Sequence, residues 1–199
     1  MLDLHPATAT LAQVIEGVPS DAVDAPTPCE DTPVAQLLDH LDAFTRAFTA
    51  IARQQEGDAT GRPPAPDAAH LDPEWRTHLP EALAALADAW THDAAWEGMT
   101  SAGGVELSRA MAGRVALGEV VVHGWDLAVA TGQPFGCAAE LAEVVEATAR
   151  ELRGGNDGEL PGLYGPVVPV PGTAPPLDRA LGQVGRDPAW APPRLDADA

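Results

Sequence analysis

The 199-residue chain contains no lysine, and its eleven basic residues are all arginine. A Schiff-base lysine and a phosphate-loop lysine are excluded by that absence. Cysteine is nearly as scarce: Cys29 and Cys137 stand far apart and in no C-x-x-C pattern. Neither a disulfide framework nor a cysteine-rich zinc site is expected, and a pair of cytosolic thiols is the plain reading. Serine occurs only at Ser20, Ser101 and Ser108, and no G-x-S-x-G is present, which argues against a serine-hydrolase triad. No charge-free run reaches the roughly 18 apolar residues of a membrane-spanning helix. The N-terminal "MLDLHPATATLAQVIEG" is acidic and lacks the basic start of a signal peptide, so a cytoplasmic location is expected.

Positive charge is in short supply too. Thirty Asp and Glu against eleven Arg give a formal charge of −19. Such a surface repels nucleic-acid phosphates and anionic membranes, so neither is expected as a partner. With 45% hydrophobic residues the chain is long enough to bury a core of its own.

What the sequence does have is helical periodicity, with no clear strand alternation and no repeat. A first helix is expected over about 7–18, stopped by Gly17 and Pro19. "DTP" marks the start of a second, with Asp31 or Thr32 as cap and Pro33 in the first turn, running to about Gln54. Its apolar stripe is Val34, Leu37, Leu38, Leu41, Phe44, Phe48 and Ile51. A Pro-rich loop, "EGDATGRPPAPDAAHLDP", follows. A third helix is expected over about 79–97, a fourth over about 107–131 ending at Gly132, and a fifth over about 137–153 ending at Gly154. "GMTSAGG" reads as a break between the third and fourth, and without a flanking strand it is no phosphate loop. Beyond 155 the segment "GLYGPVVPVPGTAPP" is too rich in Pro and Gly for regular structure. "LDRALGQVGRD" offers one short helix there, and "PPRLDADA" reads as frayed. The expected fold class is all-α: a helix bundle over 1–155, followed by a tail, 156–199, that is not an independent domain.

The fourth helix poses a chemical question. "GEVVVHGWDLA", residues 118–128, is apolar nearly all round, yet it carries Glu119 and His123 four residues apart on one side. An ionised carboxylate in a buried helix must be protonated, paired or bound to a metal. His40, beside Leu37 and Phe44 on the second helix, is able to face the same interior. Two imidazoles and a carboxylate suit zinc, nickel or iron(II) and leave coordination positions open. A hydrogen bond accepted by Glu119 from His123, Arg109 or Arg114 answers the same need without a metal. His92 and His78 fall off the apolar stripe and read as solvated, while His70 lies in the Pro-rich loop and His5 at a terminus expected to fray.

"DAPTPCEDTPVAQLLDHL", "ALGEVVVHGWDLAVATGQP" and "LYGPVVPVPGTAPPLDRALGQVGRDPAW" together resemble the actinobacterial metal-binding proteins of the DinB-like superfamily. That group is similar to the N-terminal domain of mycothiol-dependent maleylpyruvate isomerase. The resemblance runs over nearly the whole chain and implies a DinB-like four-helix bundle with an extended C-terminal docking tail. It also implies that His40, Glu119 and His123 hold a divalent metal, zinc first among the candidates. Two departures stand out: "EDTPV" where the family often has a tryptophan, and about 45 residues after the bundle in place of the isomerase's second domain.

A metal with open positions lowers the pKa of a thiol or of water. The leading expectation is therefore a metal-dependent S-transferase or isomerase that uses a low-molecular-weight thiol such as mycothiol on a small electrophilic metabolite. The reacting group is then metal-bound water or thiol, and no protein side chain is assigned to catalysis. Asp126 is either a partner fixing an imidazole or a surface carboxylate; Arg109 and Tyr164 are candidates for the pocket mouth, and Cys29 for an extra ligand. The rival readings are a metal-dependent hydrolase, lyase or cyclase, a non-catalytic metal- or small-molecule-binding module, and a bundle with a structural Glu–His bond. A homodimer is left open.

Overall fold

A computed structural model describes residues 2–55 and 65–193. Residue 1, residues 56–64 of the Pro-rich segment and residues 194–199, most of the segment expected to fray, lie outside the described residues. Among the described residues six α-helices follow in order: α1 (His5–Gly17), α2 (Val34–Ala52), α3 (Trp75–Ala89), α4 (Arg109–Ala130), α5 (Ala139–Arg153) and α6 (Pro176–Gln183). Helix α1 packs on α3, α3 on α2, α2 on α4 and α4 on α1, which closes a ring of four helices. Helix α5 lies on the other side of α4, and α6 lies on α5. The all-α expectation holds, with one small sheet added.

Apolar spacing accounts for the ring. The α2 stripe buries Val34, Leu37, Leu38, Leu41, Phe44 and Ile51, and Phe48 is half-buried against them. Leu79, Leu83 and Leu86 do the same for α3. Helix α4 is buried almost throughout because it touches α1 and α2 on one side and α5 on the other. No helix among the described residues is long and apolar enough to cross a membrane.

Four local expectations change. Helix α2 begins with Pro33 as N-cap and has no side-chain cap. Its first free N–H groups are taken instead by the preceding loop, Val34 donating to the Ala25 carbonyl and Ala35 to that of Val23. Helix α3 starts at Trp75 rather than 79, because Pro80 sits inside the helix without stopping it. It also ends at Ala89, with a separate short 3-10 turn over Asp93–Trp96. The fraying expected at His5 is replaced by helix: Leu4 is buried and His5 opens α1 with its ring 3.0 Å from Asp88. Finally, "SAGG" is flanked by strands. Strands β1 (Met99–Ala102) and β2 (Val105–Ser108) form an antiparallel hairpin turned by Gly103 and Gly104, both at positive φ. These strands are four residues long, and Met99 and Val105 are exposed, so no burial alternation announced them. Ser108 ends the hairpin and caps α4 by accepting from the Met111 N–H at 3.1 Å.

One close approach sets how α4 enters the bundle. A β-carbon on Gly113 would lie 2.5 Å from the Trp96 ring and 2.8 Å from that of Trp90. Those two rings pack edge to face, so they have little room to yield. Gly118, one and a half turns later, has open space at that position. Alanine gains about 1 kcal/mol over glycine within a helix, whereas overpacking costs about 1–3 kcal/mol. Gly113→Ala is expected to lower Tm by a few degrees and Gly118→Ala to raise it, as measured by thermal melts. A Gly113→Ala protein at least as stable as wild type would show that the tryptophan pair does not fix this approach.

Candidate metal centre

The site is assembled where α2 and α4 cross. His123 faces inward because α4 is buried on that side, and Glu119 precedes it by one turn. His40 comes from α2, on the edge of its apolar stripe. One Glu119 oxygen, Oε2, lies 3.0 Å from His40 Nε2 and 3.1 Å from His123 Nε2. The two imidazole rings meet edge to face, 4.9 Å apart. One donor atom from each of the three residues falls within 4.8 Å of the others. Residues from two helices, 79 positions apart in the chain, thus converge as the sequence suggested.

Behind the ring of His123 stands Asp126, fully buried. Its Oδ2 lies 3.0 Å from His123 Nδ1. A carboxylate can only accept, so Nδ1 carries the proton and Nε2 is the nitrogen turned toward Glu119 and His40. Of the two roles open to Asp126, surface carboxylate and imidazole partner, the second is the one its position fits. Asp126 is itself gripped by Arg186, whose Nε donates at 2.9 Å to Oδ1 and whose second terminal nitrogen donates at 3.0 Å to Oδ2. Sequence reasoning missed Arg186. It lies in the tail, 60 residues from Asp126, and no spacing rule links the two.

The electrostatics follow from burial and pairing. Burial alone pushes the Glu119 carboxyl up, but the His123 charge and the hydrogen bonds from His123 and His40 outweigh it. The carboxyl is held well below the ordinary carboxylate range. For His123 burial pushes down, while the Glu119 charge and the bonds to Asp126 and Glu119 raise it to about 10. Without a metal the two are held as a compensated ion pair.

The remaining candidates fall into place around this group. Tyr164 sits in the tail; burial, and then the negative charge of Glu119, push its phenol up. Its ring also lies 5.6 Å from the Arg153 guanidinium. Cys29 groups with His123 and Asp126 within 4.8 Å, not with the His40–Glu119–His123 set. Arg109 lies ten residues before Glu119, about 15 Å along α4, where its guanidinium bonds the Ile51 carbonyl at the end of α2. Arg114 is paired with Glu151 at 2.7 Å, so neither arginine is the partner of Glu119. His70, His78 and His92 are exposed and outside the group.

The family pattern described as the mycothiol maleylpyruvate isomerase N-terminal domain matches residues 4–128, from the start of α1 to near the end of α4. Two proteins of Mycobacterium tuberculosis, from strains CDC 1551 and H37Rv and both described as uncharacterized, are each 30% identical over 192 residues. Those alignments cover 90% of this chain and 93% of each relative. No solved structure matches the chain.

The shifts at Glu119 and His123 set a pH dependence for the metal-free protein. A carboxyl held below its ordinary 4.5 stabilises the fold above that value, and the contribution is lost as pH falls toward the folded pKa. A histidine raised from 6.5 to about 10 stabilises below 6.5, and its contribution is lost as pH rises through 10. In the presence of a chelator, Tm is therefore expected to fall between pH 6.5 and 10. Glu119→Gln removes the charge that raises His123 and is expected to flatten this slope. Equal slopes in the two proteins would contradict the ion pair.

Proposed function

The chain belongs to the mycothiol maleylpyruvate isomerase N-terminal domain family, and from that membership we propose that it is a metal-dependent enzyme acting with a low-molecular-weight thiol. In this reading His40, Glu119 and His123 hold one divalent transition metal, zinc first among the candidates and nickel or iron(II) next. The reaction is S-transfer to, or isomerisation of, a small electrophilic metabolite, with mycothiol as the thiol.

The observation that carries the proposal is the convergence of two imidazole Nε2 atoms on one carboxylate oxygen, at 3.0 and 3.1 Å. The donor set fits the ion: imidazole nitrogen and carboxylate oxygen are ligands that zinc, nickel and iron(II) accept. The backing of His123 by Asp126 at 3.0 Å is the arrangement that turns one ring nitrogen outward as a ligand. A metal held there supplies Lewis acidity that lowers the pKa of a thiol or a water beside it.

The protein's own groups prepare the site for this. Glu119 is already anionic and has no proton to lose. His123 must give up its Nε2 proton, while Asp126 keeps the Nδ1 proton in place. Three donors leave room for a further ligand. That favours a reactive site over a closed structural one. Tyr164, whose phenol is pushed up by burial and then by the Glu119 charge, is the tail's candidate for the pocket mouth.

The test is metal content, measured on protein purified without a polyhistidine tag beside a His40→Ala/His123→Ala double variant. About one metal per wild-type chain and none in the variant is the expected result. Mycothiol consumption against a panel of small electrophiles is expected to stop in His40→Ala. Unchanged turnover in that variant would refute the proposal, and turnover without added thiol would move it to a metal-dependent hydrolase or lyase.

A further inference from the structure

We infer that Arg186, contributed by the C-terminal tail, is a positioning residue of the metal centre: by gripping Asp126 it fixes the His123 ring, so the site is complete only when the tail is docked. The part of this inference that concerns metal affinity rests on the proposed ligand set; the part that concerns Asp126 and His123 does not.

Asp126 is the hinge of the argument. It is 0% exposed, and two of its hydrogen bonds meet on one oxygen, Oδ2: His123 Nδ1 at 3.0 Å and Arg186 at 3.0 Å. The other oxygen takes Arg186 Nε at 2.9 Å. A carboxylate at this depth needs a cation close by to remain ionised, and as an ion it is the stronger acceptor for the imidazole N–H. With both oxygens tied to a planar guanidinium, the carboxylate cannot rotate away from His123. Remove Arg186, and Asp126 has only His123 to oppose its charge.

Arg186 is in turn placed by the tail and not by its own flexibility. Its backbone N–H bonds the Leu181 carbonyl at 2.9 Å, at the end of α6. Gly185, at φ +81°, lies against the backbone of Gly165, where a β-carbon would come within 2.9 Å. Both passages of the tail are held by one side chain of α5, the buried Arg153. Its guanidinium donates to the carbonyls of Gln183 at 2.7 Å, Gly158 at 2.7 Å and Gly165 at 2.5 Å, and to that of Asn156 at 3.2 Å. Tyr164, next to Gly165, lies below the same guanidinium. The chain therefore runs from α4 through α5 and the tail, then closes back on α4 through Arg186. The family pattern ends at residue 128, so nothing in it accounts for this closure.

The experiment uses the full chain in three forms: wild type, Arg186→Gln and Arg186→Lys. Zn2+ and Co2+ affinities are measured by competition with a chelator, and circular dichroism shows which variants keep the fold. The imidazole N–H signal of His123 is followed by nitrogen-15 NMR in the metal-free state. Loss of a group that orients a ligand typically weakens metal binding about 10- to 100-fold. That loss is expected for Arg186→Gln, together with loss or faster exchange of the His123 Nδ1–H signal. Arg186→Lys keeps the charge and one donor, and is expected to recover part of both. Should Arg186→Gln fail to fold, Arg186→Lys decides by itself, with a several-fold loss expected. A folded Arg186 variant with wild-type affinity and a wild-type His123 signal would overturn the inference. A wild-type protein that takes up neither ion would refute the proposed function instead, and the metal-free N–H signal would still decide the role of Arg186.

Discussion

Glu119 is the constraint around which the molecule is arranged. Its carboxylate projects from α4, a helix with apolar neighbours on nearly every side. An ion in that position is intolerable unless opposite charge and hydrogen-bond donors surround it. His40 and His123 supply both, at 3.0 and 3.1 Å from a single oxygen. Everything nearby follows from keeping those two rings aimed at that point. Helix α2 has to cross α4 at the level of His40, and α4 has to carry Glu119 and His123 on one face.

Compensation then spreads outward in steps. The positive charge on His123 is met by Asp126 as well as by Glu119. Asp126, more deeply buried than either, is met by Arg186. Arg186 depends on the tail, and the tail on Arg153. The steps run inward to Asp126, which is 0% exposed, and then out through Arg186 to the carbonyls that hold Arg153. In a chain with a formal charge of −19 the arginines are few, and Arg109, Arg153 and Arg186 are spent inside or at the edge of the core. Arginine suits this duty because it keeps its charge when buried and donates in several fixed directions. A lysine-free chain has the right cation for every one of these places.

Much of the fold was legible because it is written in period. The α2 stripe from Val34 to Ile51 and the leucines of α3 repeat at helical spacing, and the core follows them. The misses share a different cause: each was decided by a contact and not by a pattern. The third helix is expected from about 79, yet α3 extends back to Trp75, which is buried in the bundle, and Pro80 sits inside it. Asp31 and Thr32 read as caps, yet backbone carbonyls of the preceding loop take the first N–H groups of α2. The hairpin over 99–108 was invisible because its side chains are largely exposed, and burial is what makes a strand alternate.

The same division runs through the site. The sequence by itself determined that Glu119 and His123 share one face of a buried helix, since 3.6 residues per turn fixes that wherever the helix lies. It also put His40 at the edge of an apolar stripe, and the motifs around all three carried the family resemblance. Tertiary structure alone decided that the three meet on one oxygen, that Asp126 backs the histidine, and that Arg109 stays at the far end of α4. It alone brought Arg186 across 60 residues to Asp126. Periodicity governs neighbours within one helix, whereas the meeting of two segments depends on how their surfaces pack, and no local repeat encodes that.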